Sequence, residues 1–90
     1  MRITVTRTGG FAGLARRAAL ETDGRPDAAE LTALARTALA EGTSERPLGV
    51  PDGFAYEIEV DGATGHFADP RLTEAQSALV KTVLSEGSGR

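Results

Sequence analysis

Residues 14–24 read LARRAALETDG, from Leu14 to Gly24. Their alanine, leucine and arginine content favours a helix. Asp23-Gly24 and Pro26 stop such a helix after about nine residues, and isolated helices that short are marginal. The alternation of Leu14, Arg16, Ala18, Leu20 and Thr22 suits a strand equally well. Local sequence leaves both readings open. Read as a strand, the segment makes the element order ββαββα: an α+β fold of four antiparallel strands with two helices on one face of the sheet.

Upstream, residues 2–7 alternate, with Ile3 and Val5 on one side and Arg2, Thr4 and Thr6 on the other. Period 2 with β-branched residues predicts a half-buried strand. Residues 8–13 form a glycine loop with Phe11 among Gly9, Gly10 and Gly13.

Downstream, residues 27–41 predict a helix. Asp27 and Glu30 have the spacing of a capping box. Leu31, Leu34, Ala35 and Ala38 form the apolar stripe with Leu39 on its flank, and Gly42 sits where a left-handed C-cap belongs. Residues 42–53 are a long loop carrying Pro47, Gly49, Pro51 and Gly53. Phe54, Tyr56, Ile58 and Val60 then line one face of a strand. Asp61-Gly62 predicts a type I′ hairpin. That turn sets the register: Val60 opposite Ala63, Ile58 opposite Gly65, Tyr56 opposite Phe67, and Glu57 opposite His66 on the outer face. Thr73 and Gln76 suit a second capping box, opening a helix over 73–86 with Leu79, Val80, Val83 and Leu84 inward. Residues 1–86 read as a single domain and 87–90 as a disordered tail.

Ninety residues make a thin core, because a chain this small buries only about 60% of its unfolded surface. The sequence has no cysteine, which excludes disulfides, thiolate metal sites and thiol nucleophiles. No signal-peptide core or membrane-length apolar run is visible, so a cytoplasmic protein without membrane binding is expected. Net charge is −3, unevenly spread. Residues 1–25 hold five arginines against Glu21 and Asp23, while 26–90 hold five basic and eleven acidic residues. The bland account of the arginines is solubilising charge on a hairpin edge.

Catalytic and cofactor chemistry finds little support. Gly9-Gly10-x-x-Gly13 lacks the full dinucleotide fingerprint, a Walker lysine and a parallel βαβ context. His66 is the one histidine, and its derived partner Glu57 makes a surface cross-strand pair. Ser44, Ser77, Ser85 and Ser88 lack a nucleophile-elbow context. No metal site, cofactor, catalytic residue or enzyme activity is expected. Nucleic-acid binding is disfavoured by the acidic balance and by Phe11 being the sole aromatic near the N-terminal arginines. Protein recognition remains. A phenylalanine among glycines is a natural anchor for a partner's pocket, or alternatively folds back to cap its own core.

The chain resembles the emfourin family, small bacterial inhibitors of thermolysin-like metallopeptidases. The resemblance rests on Met1-Arg2-Ile3-x-Val5, on Gly9-Gly10-Phe11-Ala12-Gly13 followed by Arg16-Arg17, and on the charged helix after a Pro-Asp entry. Phe54-x-Tyr56-x-Ile58-x-Val60, the hairpin, and the C-terminal helix rich in leucine and valine complete it. This chain departs from relatives in its alanines at 15, 18 and 19. The resemblance implies that Leu14–Thr22 is a strand. It also implies a reversible inhibitor with a thermolysin-like metalloprotease as partner. Such enzymes prefer a bulky apolar residue just after the scissile bond, so the expected protease-binding residues are Gly9, Gly10, Phe11, Ala12, Gly13 and Leu14. Phe11 or Leu14 would fill that pocket. The 42–53 loop is the alternative wedge. A zinc-directed group could be a backbone carbonyl, a carboxylate such as Asp52, or the amino terminus. The competing function is a non-catalytic protein-binding or regulatory module without inhibitory activity.

Overall fold

The structure, a computed structural model, describes residues 1–9, 15–45 and 53–89. Its elements are β1 (Arg2–Gly9), β2 (Arg16–Glu21), α1 (Ala28–Ala40), β3 (Phe54–Val60), β4 (Ala63–Ala68), α2 (Glu74–Glu86) and β5 (Ser88–Gly89). The four long strands and two helices follow the expected ββαββα order, an α+β fold. The sheet order is β4-β3-β1-β2-β5, and every pairing is antiparallel.

Residues 16–21 are a strand because β1 supplies a partner that local sequence cannot. Val5 pairs with Ala18 and Ile3 with Leu20. Ala18 and Leu20 then face inward and are buried. On the other side of β2 runs β5, pairing Ser88 with Ala19 and Gly89 with Ala18. These two residues were expected within a disordered tail. They are held because Gly87 lets the backbone come close. A Cβ at Gly87 would lie 2.6 Å from the carbonyl oxygens of both Ala19 and Val83.

The second hairpin follows its turn chemistry. Asp61 and Gly62 both have positive φ, +51° and +84°, as a type I′ turn requires. The observed pairs are Val60–Ala63, Ile58–Gly65, Tyr56–Phe67 and Glu57–His66, the register expected from the turn. Gly65 leaves space under α1: a Cβ there would meet Leu39 Cδ1 at 2.9 Å.

Both helices bury their stripes against the same face of the sheet. Leu31, Ala35 and Ala38 of α1 and Leu79, Val80, Val83 and Leu84 of α2 join Ile3, Val5, Ile58 and Val60 in one core. The opposite sheet face carries Arg2, Thr4, Thr6, Arg17, Glu57 and Glu59, and among the described residues no helix covers it.

The two expected capping boxes come out differently. At α2, Thr73 Oγ1 accepts from the Gln76 backbone N–H at 3.1 Å, and Gln76 Oε1 accepts from the Thr73 N–H at 3.0 Å. At α1, Asp27 is the N-cap residue but makes no side-chain cap bond. Its carboxylate instead accepts from Arg25 Nε at 2.8 Å and Nη2 at 3.2 Å. Gly42 is also not the left-handed C-cap expected, since its φ is not positive. Its smallness serves a close approach, with its Cβ position 3.0 Å from the His66 carbonyl oxygen. Next to it, Thr43 bonds reciprocally to the His66 backbone at 2.8 Å and covers part of the exposed edge of β4.

Candidate functional site

Of the expected contact residues, Gly9 is described, and Gly10, Phe11, Ala12, Gly13 and Leu14 lie outside the described residues. So do residues 46–52 of the alternative loop, Asp52 included. The anchors of both segments are in place, and they sit together. Gly9 ends β1 directly opposite Phe54, the first residue of β3. Its φ of +94° is a left-handed value that suits glycine. A Cβ at Gly9 would lie 2.9 Å from the Gly53 carbonyl oxygen. Gly9 and Gly53, the described ends next to the two segments weighed as rival wedges, therefore lie side by side at one end of the sheet.

That end has a firm base. The first hairpin closes on the Arg7–Arg16 pair. Tyr56 and Phe67 stack with ring centroids 5.5 Å apart, and Phe54 lies tilted 6.4 Å from Tyr56. The Arg7 guanidinium sits over the Phe54 ring, 4.3 Å from its centroid, a cation–π contact. Asp69 ties the end of β4 to the start of β3: its Oδ2 accepts from the Phe54 N–H at 3.0 Å, and its own N–H donates to the Phe54 carbonyl at 2.9 Å. The Tyr56 hydroxyl titrates above its ordinary value because of burial, with Asp69 adding to the rise and Arg7 opposing it.

The adjacent arginines at 16 and 17 part company, as period 2 demands. Arg17 lies on the helix-free face. Arg16 turns to the helix side, where Nη2 donates to the Leu84 carbonyl at 2.6 Å. No basic residue stands in the last turn of α2, so β2 supplies the cation that satisfies this helix end. Arg25 likewise bonds Glu86 Oε1 at 2.7 Å as well as Asp27. Three of the five N-terminal arginines thus have specific partners, where solubilising edge charge was the bland expectation. Nothing in the local sequence marks Arg16 for Leu84, 68 positions away.

The other candidate groups lie elsewhere. The Met1 ammonium donates to Asp23 Oδ1 at 3.1 Å and lies 3.4 Å from Glu21 Oε1. It occupies the far end of β1 from Gly9, about 26 Å away at strand rise, and shares no end with either loop. His66 faces Glu57 across the hairpin, as expected. Among the described residues, no three His, Cys, Asp or Glu side chains gather to hold a metal ion, and no helix is long and apolar enough to cross a membrane.

Comparison with curated proteins and with solved structures gives no match. A family model does match, over residues 5–84, which spans both hairpins and both helices. The chain belongs to the Emfourin family, the inhibitor family that its glycine–phenylalanine element and Phe-x-Tyr-x-Ile-x-Val strand resemble.

Proposed function

We propose that this protein is a reversible inhibitor of a thermolysin-like zinc metalloprotease, entering the active-site cleft with residues 9–14. The observation that carries the reading is family membership over nearly the whole chain. The anchoring of the segment supports it. The segment is joined at one end to Gly9, paired with Phe54, and close to the other end to Arg16, paired with Arg7 and bonded to α2. Loops carried on rigid scaffolds are suited to recognition because less order is lost on binding.

In this mechanism Phe11 or Leu14 fills the apolar pocket beyond the scissile bond. The glycines let backbone approach the cleft closely. The paired strands hold the peptide out of near-attack geometry, so it binds without being cut. The protein itself performs no catalysis.

The test is titration of a purified thermolysin-like protease. Activity is expected to fall to zero at a stoichiometric amount of inhibitor. Phe11→Ala is expected to weaken inhibition more than about tenfold, near 1.4 kcal/mol, with the melting temperature unchanged. An unchanged inhibition constant removes Phe11 from the contact. Tight binding without loss of protease activity favours the non-inhibitory module instead.

A further inference from the structure

Beside the loop anchors, on the helix side of the sheet, runs an open groove of about 380 Å³ between the ends of β1 and β2 and the outer flank of α2. Its apolar lining comes from Tyr56, Leu72, Val80 and Leu84. Its charged lining is Arg7, Arg16 and Lys81, with no acidic side chain among the described lining residues. Such a concentration is unexpected in a chain of net charge −3 that holds thirteen acidic residues. Asp69, whose charge reaches Tyr56, lies outside the lining and accepts from the Phe54 N–H.

Two of the three cations are held in place before any partner arrives. Arg16 is fixed by the Leu84 carbonyl and Arg7 by the Phe54 ring. Held cations lose little freedom on binding, and a cationic patch beside the contact raises the association rate for an anionic partner. Lys81 stands exposed on α2 and completes the positive rim.

We infer that this groove is a second docking surface for the protease, taking a segment of it that carries carboxylates beside apolar side chains. The inference rests on the inhibitor reading and names a further part of the same interface. Arg7 lies two residues before Gly9 and Arg16 two residues after Leu14, so the groove adjoins both ends of the proposed contact segment. The loop then blocks the cleft, and the groove steers the approach and sets which proteases are held.

The experiment measures inhibition and association kinetics of one thermolysin-like protease with wild type, Lys81→Glu, Lys81→Arg and Arg36→Glu. Among the described residues Lys81 makes no hydrogen bond or ion pair, whereas Arg36 lies on α1, 66% exposed, 4.0 Å from Asp61 and outside the groove lining. Lys81→Glu is expected to weaken inhibition about tenfold, mostly through slower association. Its rate should also lose part of the wild-type dependence on salt. Lys81→Arg and Arg36→Glu should match wild type. If wild type inhibits and Lys81→Glu inhibits equally well, the groove is not a docking surface and the inhibitor reading stands. Equal losses in Lys81→Glu and Arg36→Glu would mean a general charge effect and also overturn the groove. If wild type neither binds nor inhibits, both readings fall. A wild-type dimer in sedimentation that Lys81→Glu dissociates would assign the groove to a second copy and overturn the protease assignment.

Discussion

At Gly9 two demands fall on one residue. Its φ of +94° penalises any side chain, and its Cβ position is 2.9 Å from a backbone oxygen that cannot swing away. Gly9→Ala is therefore expected to cost about 1–3 kcal/mol of stability, read from urea unfolding. Gly65→Ala makes the instructive contrast. Its obstacle is also at 2.9 Å, but it is the tip of the Leu39 side chain, which can rotate, and the loss should be clearly smaller. Equal losses would show that the contact, not the left-handed backbone, governs Gly9. The sequence marks residues 9–13 as a glycine loop but does not distinguish a glycine needed for its torsion from one needed for its size. Gly42 shows the same limit. Its place after a helix suggested torsion, and the structure uses its size beside His66.

Among the elements, the two helix starts carry similar strings and end in different chemistry. Thr73-x-x-Gln76 closes its box, whereas Asp27-x-x-Glu30 does not, because Arg25 two residues earlier takes both oxygens of the carboxylate. Hydrogen bonding to Arg25 holds the Asp27 carboxyl below its ordinary 3.8. With the folded value below the unfolded one, the pair stabilises the fold above the unfolded value. That contribution is lost as pH falls through the folded value. Asp27→Asn should accordingly melt lower than wild type near about pH 6, with the gap closing as the solution is acidified below the ordinary carboxyl value of 3.8. A gap that stays constant across this range would detach Asp27 from the acid limb of stability. Gln76 was legible as a cap but not as a core residue. It is 1% exposed, and its Nε2 donates to the Ala38 carbonyl of α1 at 3.2 Å, joining the two helices.

For the whole molecule, one thin layer between sheet and helices carries the stability. Leu79, Val83, Ile3, Val5 and Ile58 are fully buried in it. Leu79→Ala is expected to cost about 2–5 kcal/mol, against a total of only about 5–15 kcal/mol for a typical domain. Thermal unfolding should show a markedly lower midpoint or no cooperative transition. A loss under about 1 kcal/mol would mean that the core collapses around the cavity. The same economy explains the helix-free face. Both helices lie on one side, and the described residues of the other face are mostly threonine and charged side chains, with a few alanines and His66.

What the sequence determined by itself was whatever short-range chemistry controls. Asp61-Gly62 dictated a turn and hence the register of β3 on β4. The leucine and valine spacing dictated which side of each helix is buried. Residues 14–22 were beyond that reach: local pattern allowed helix or strand, and only the family resemblance favoured the strand. Tertiary structure decided the matter by placing β1 on one side, β5 on the other and α2 over Ala18 and Leu20. It also brought residues 9 and 53 to one end of the sheet, and Arg16 to Leu84. Periodicity and turn propensity act within about ten residues. Contacts between distant segments depend on how the finished elements pack, and no local pattern encodes them.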